Sequence, residues 1–114
     1  MIRLPALLGI SVILAGCTTM SQGEYKTAQT TLAGSPALKR ETMNSCIKDE
    51  NARSAKDKAE MAAVFNIDPK NYAATFCKRL INGMASNRIT YQDYVNLDSR
   101  TADSSKLIRV LQGR

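Results

Sequence analysis

The sequence predicts a small all-α domain. Helix starts with capping chemistry recur at Ser35-Pro36, Asp68-Pro69 and Thr90, and apolar residues from Ala73 to Met84 repeat every three or four positions. No alternating strand pattern of useful length competes with them. Local chemistry and periodicity agree, which is the condition for one fold to win. The expectation is three to four helices over residues 35–114.

Residues 18–34 are rich in Thr, Ser, Gln and Gly with little aliphatic content, and read as a flexible tether. Ser35-Pro36 opens the first helix, with serine accepting from free backbone N–H groups and proline pre-set for the first turn. From Ala37 to Phe65 there is no Gly or Pro, and Ala, Lys, Glu and Met favour helix. Ala52, Ala55, Ala59 and Ala62 would share one face of a continuous helix, either as a smooth packing strip or as a solvated surface. Asp49 with Arg53 and Lys56 with Glu60 are i,i+4 pairs on the remaining surface.

Asn66-Ile67-Asp68-Pro69 is the clearest boundary. Asp68 can cap, Pro69 takes the first helical position, and Ile67 can pack on Tyr72 as a hydrophobic staple. Ala73, Phe76, Cys77, Leu80, Ile81 and Met84 then form one stripe, and Gly83 or Asn87 ends the helix. Thr90 followed by Asp93 approximates a capping box for a short helix reaching about Leu97. Residues 98–105 read as polar loop. The segment 106–111, Lys-Leu-Ile-Arg-Val-Leu, fits a terminal helix ended by Gly113 or an extended strip, and its apolar residues argue that it docks.

The N-terminus carries a different pattern. Arg3 is followed by the uncharged apolar run Leu4–Leu14 and then by small residues before Cys17. That is the layout of a secretory signal peptide, and the run is shorter than the roughly 20 residues needed to cross a bilayer. Leu14-Ala15-Gly16-Cys17 resembles the lipobox of bacterial lipoproteins. The resemblance implies cleavage before Cys17 and acylation of its thiol and new N-terminus, with two or more chains giving stable attachment. It divides the chain into a signal peptide (1–16), a lipidated flexible tether (17–34) and a helical domain (35–114). In that family Asp after the cysteine tends to retain a protein at the inner membrane. Here Thr18 follows, which favours the outer membrane and a periplasm-facing domain.

With Cys17 acylated, Cys46 and Cys77 are the only cysteines left, and an even pair in an exported chain reads as a disulfide. Both lie in helical segments, but Cys46 is about twenty residues from the Asn66–Asp68 turn and Cys77 about ten. In a straight antiparallel pair of helices they would be offset by some 15 Å at about 1.5 Å per residue, whereas a disulfide needs Cα atoms within about 7 Å. The bridge therefore requires the first helix to break, between Asn51 and Ala55, or the two helices to cross steeply. The break is the favoured reading.

Composition narrows function by exclusion. The net charge is +6, or +5 once Arg3 is removed with the leader, and the chain contains no His and no Trp. Without His, the Ser-His-Asp and Cys-His arrangements cannot form within this chain. No CxxC, HExxH or Gly-rich phosphate loop is present, so no metal, cofactor or enzymatic role is expected. Phe65 to Tyr94 has a helix–turn–helix flavour, but an exported lipidated protein does not meet chromosomal DNA, and no nucleic-acid partner is expected. The positive charge suits anionic lipid headgroups, or is simply a solvated surface. Tyr72, Tyr91 and Tyr94 are candidate recognition residues, or residues that finish a small core with the hydroxyl at the rim.

The expected function is a non-catalytic envelope lipoprotein, anchored in membrane lipid through acylated Cys17, that binds or stabilises an envelope protein partner at the membrane surface. An accessory subunit of a secretion or envelope-assembly apparatus is the alternative, and a periplasmic inhibitor or immunity protein is a third reading. A wall-hydrolase inhibitor would be expected to be acidic, and this chain is basic.

Overall fold

A computed structural model describes residues 20–97 and 99–114; the leader and Cys17 lie outside the described residues. The described residues form six α-helices and one short 3₁₀ turn, and contain no strand. The helices are α1 (Gln22–Gly34), α2 (Pro36–Asn51), α3 (Ala55–Val64), α4 (Tyr72–Ala85), α5 (Tyr91–Asn96) and α6 (Ser105–Leu111), with the 3₁₀ turn at Pro69–Asn71. The all-α expectation holds, with more and shorter helices than the three to four expected.

The central element is α4, against which α1, α2 and α6 all pack. Its stripe follows the periodicity of the sequence. Ala73, Phe76, Cys77 and Ile81 are buried, and Leu80 and Met84 pack against the same cluster. Ile67 and Tyr72 join it from the boundary, Ala62 from α3, and Leu107, Val110 and Leu111 from α6. The 106–111 segment is thus a docked helix. It ends in a Schellman geometry, with Gly113 at φ +81° and N–H bonds from Gly113 to Val110 O (3.0 Å) and Arg114 to Arg109 O (2.9 Å).

Capping sets the boundaries. The Ser35 hydroxyl accepts from Leu38 N with Pro36 behind it, the Asp68 carboxylate accepts from Lys70 N, and Thr90 with Asp93 makes a full capping box. Of the two expected ends for α4, neither is its last residue. The helix stops at Ala85, and Asn87 turns the chain in the left-handed region (φ 62°). Gly83 is inside the helix and buried. A Cβ there would lie 2.7 Å from Ile89 Cδ1 and 3.1 Å from Val110 Cγ1, so glycine lets Ile89 fold back onto α4.

The disulfide and the break appear together. Cys46 and Cys77 are joined with Cα atoms 5.9 Å apart. The long first helix is interrupted after Asn51 and restarts at Ala55, as the favoured of the two readings expected. Ser54 caps the restart, its hydroxyl accepting from Asp57 N. The break removes the expected alanine strip. Ala52 becomes the C-cap of α2, and of the four alanines only Ala62 is buried. Arg53 pairs with Glu50 rather than with Asp49.

The tether expected over residues 17–34 needs the largest correction. Residues 22–34 form α1, packed on α2, α4 and α5, which leaves only residues 17–21 of the expected tether ahead of the first helix. The helix is started by Ser21 and Glu24 in a reciprocal capping box. Tyr25, Gln29 and Leu32, spaced four and three apart, are its buried face. One of those three is polar, which hides the stripe from a hydropathy reading. Gln29 is accommodated because its Nε2 donates to Met84 O (3.0 Å) and Asn87 Oδ1 (2.8 Å).

Two stability outcomes follow from this packing. Replacing both cysteines by serine should cost about 3–4 kcal/mol by the loop-closure argument, read as a lowered denaturant midpoint under non-reducing conditions. Equal midpoints would mean that the break and the α2–α4 packing hold without the bond. Gly83→Ala should lower the melting temperature despite alanine's better helix propensity, because overpacking typically costs about 1–3 kcal/mol and exceeds the gain of about 1 kcal/mol. Gly23→Ala, with nothing within 4 Å of the new methyl, should raise it.

Candidate functional site

Three side-chain constellations stand out, and the candidate tyrosines divide between two of them. At one end of the molecule Tyr72 is buried beneath α2 and α3, its hydroxyl donating to Glu50 Oε1 (2.6 Å), with Met61 Sδ 3.2 Å away. Arg53 Nε donates to the same carboxylate oxygen at 2.8 Å. Its ring stacks on Phe76 at 5.5 Å, and Phe65 lies against Phe76 at the same spacing. Burial, then the bond to Glu50 and the charge of Glu50, pushes the Tyr72 phenol well above its ordinary range. Tyr72 is therefore a core residue that satisfies a buried carboxylate, and offers no recognition surface.

Tyr91 and Tyr94 lie elsewhere, on α5, and surround a third tyrosine that the sequence reading placed in a tether. Tyr25 packs its ring 5.6 Å from Tyr91 and 5.4 Å from Tyr94. Its hydroxyl donates to Ile89 O at 2.7 Å in a buried position. Burial, followed by the Asp93 charge and Tyr94, pushes the Tyr25 phenol up to about 12. The collar holds the incoming chain. Met20 N donates to the Tyr94 hydroxyl (2.9 Å), and the Tyr91 hydroxyl donates to Met20 O (3.0 Å). Asp93, beside the collar, accepts from Thr90 N and from Lys106 Nζ (2.9 Å). Its partial burial opposes ionisation, but the Lys106 and Thr90 bonds outweigh that and hold its carboxyl below the usual carboxylate range.

The third constellation is a groove of about 660 Å³ along α4. Ala33 and Lys39 flank it where α1 meets α2, and Val110 and Gly113 flank it from α6. Thr75, Lys78, Arg79, Asn82 and Ser86 come from α4 and its C-cap, and Arg88 from the turn that follows. Arg79 has a second task. Its Nη1 donates to Phe65 O (3.1 Å) and Leu111 O (2.9 Å), tying the C-terminal ends of α3 and α6 together, where cations are favoured by the helix dipole. The sequence reading gave neither Tyr25 nor this groove. The Ser21-x-x-Glu24 capping signature would have found α1, and with it the collar.

Among the described residues no three Cys, Asp or Glu side chains converge as a metal site would require, and no helix is long and apolar enough to cross a membrane. No protein-family model, curated protein or solved structure matches this chain.

Tyrosine ionisation gives this packing a pH signature. A phenol whose pKa is raised in the fold stabilises fully below the unfolded value of 10.0 and loses that contribution as pH rises towards the folded value, about 12 for Tyr25. The urea midpoint should therefore fall steadily between pH 10 and 12, and fall less in Tyr25→Phe. A midpoint flat over that interval would contradict the buried phenol. At neutral pH, Tyr72→Phe should cost about 2 kcal/mol, because it leaves the Glu50 carboxylate short of a hydrogen bond in the core.

Proposed function

We propose that this chain is a non-catalytic envelope lipoprotein, acylated at Cys17, whose helical domain binds or stabilises a partner protein at the membrane surface. Thr18 after the cysteine favours the outer membrane, with the domain facing the periplasm. The observation that supports the reading best is the tyrosine collar. Met20 is fixed by Tyr91 and Tyr94, and it lies three residue steps from Cys17, with only Thr18 and Thr19 between them. Three residues span at most about 11 Å fully extended. A domain held so close to an acyl anchor works at the bilayer surface and does not range far from it. The buried or half-buried carboxylates support a non-catalytic role, since Glu50 is engaged by Tyr72 and Arg53, and Asp93 by Thr90 and Lys106.

Cys17→Ala should abolish metabolic palmitate labelling and leave an unprocessed precursor or a domain released from the membrane fraction. Labelling unchanged in that variant would contradict the anchor. With the anchor intact, crosslinking in whole envelopes should recover one stoichiometric protein partner. Isolation of a wall hydrolase, inhibited in the complex, would replace this reading with that of an inhibitor.

A further inference from the structure

The α4 groove has a charge pattern that its packing role does not require. Lys39, Lys78, Arg79 and Arg88 line it, and among the described residues no carboxylate does. The reason is visible along the chain, where no Asp or Glu occurs between Asp68 and Asp93, so α4 and its exit turn contribute only positive charge. Lys78 and Arg88 are exposed, and Arg88 also lines an adjoining depression with Lys106, Arg109 and Arg114. Arg79 donates to two backbone carbonyls and Arg88 to Arg114 O, which leaves Lys39 and Lys78 as the groove cations without a bonded partner among the described residues. Cations gathered in a concave surface raise the local potential and attract an anion.

A second observation narrows the ligand. Asn82 lines the same groove, and its Oδ1 is buried without a hydrogen-bond partner among the described residues. A buried acceptor left unpaired is costly, and a ligand hydroxyl would satisfy it once the Asn82 amide turns into the groove, since its oxygen is closed to solvent as it stands. Thr75 and Ser86 add hydroxyls along the same wall. A bare anion would use the cations and leave Asn82 unpaired. An anion that also carries hydroxyl donors would use both.

We propose that the α4 groove binds the phosphate ester of a polyol, supplied by anionic glycerophosphate headgroups of the bilayer that receives the anchor. The choice of source rests on the acylation of Cys17 proposed above. The Arg88 end of the groove adjoins the collar. Arg88 lies between Asn87, which Gln29 of α1 holds, and Ile89, whose carbonyl accepts from Tyr25. The backbone at Arg88 thus links the groove to the residues that hold Tyr25 and Gln29 of α1. Guanidinium and ammonium groups would hold the phosphate, and the Asn82 carbonyl would accept from a glycerol hydroxyl.

The test uses the mature chain from residue 17 without acyl groups, so that it reads the groove separately from the anchor. Co-sedimentation with vesicles containing phosphatidylglycerol should be at least tenfold tighter than with phosphatidylcholine alone. Lys78→Gln with Arg88→Gln should lose tenfold or more, while Lys56→Gln with Lys70→Gln, equal in charge change but outside the groove, should lose less than threefold. Soluble glycerol phosphate should shift the Asn82 side-chain amide in NMR spectra at lower concentration than methyl phosphate does. Equal losses in the two double variants would overturn the site, as would equal binding to both vesicle types. Binding of the soluble ester without vesicle binding would overturn the membrane source, and polyglutamate binding as tightly as the anionic vesicles would assign the groove to an acidic protein. Failure of palmitate labelling, by contrast, bears on the anchor and leaves these results standing.

Discussion

Everything in this domain is arranged around one amphipathic helix. With a single tryptophan-free core to build, α4 supplies the stripe from Tyr72 to Ile81 that the other helices cover. Cys77 on that stripe is completely buried, and its bond to Cys46 fixes where α2 must lie. That constraint propagates. Cys46 lies about twenty residues before the turn and Cys77 about ten after it, an offset that the chain absorbs by breaking after Asn51, and Ser54 restarts it as α3. Arg79, from the same helix, then donates to the last turns of α3 and α6, and Gly83 leaves room for Ile89 to return over α4. A domain this small gains much of its order from such cross-links.

Much of this was legible in the sequence where chemistry is local. Asp68-Pro69, Thr90 with Asp93, and Ser35-Pro36 each define a cap that the structure uses, and the α4 stripe has the spacing of a buried helix face. The need for a break or a steep crossing followed from two cysteines and the rise of a helix, and the chain takes the break. What was not legible depends on distant partners. The buried face of α1 consists of Tyr25, Gln29 and Leu32, and Gln29 is tolerated inside only because Met84 and Asn87 accept its hydrogen bonds. Composition alone made that segment look solvated. Tyr72 was grouped with Tyr91 and Tyr94 by residue type, yet it faces Glu50 at the opposite end of the core. The groove was invisible for the same reason, since its cations come from α2, α4 and the turn after α4, which only the tertiary fold brings together.

The ordering of α1 changes the physical picture of attachment. A seventeen-residue tether would let the domain sample a wide shell above a membrane. With Cys17 acylated as proposed, a chain fixed at Met20 by Tyr91 and Tyr94 would leave only a few residues between the anchor and a packed surface.

The account depends most on α1 being part of the cooperative domain. Native-state hydrogen exchange measures this directly, because tertiary packing, and not helix propensity, is what would protect a short Thr-rich helix. The backbone amides of Gln29 to Leu32 should exchange with the same opening free energy as those of Cys77 to Ile81, and should lose that protection when Tyr25 is replaced by alanine. Exchange of the α1 amides at unstructured rates while α4 is fully protected would return the segment to a tether and contradict the account.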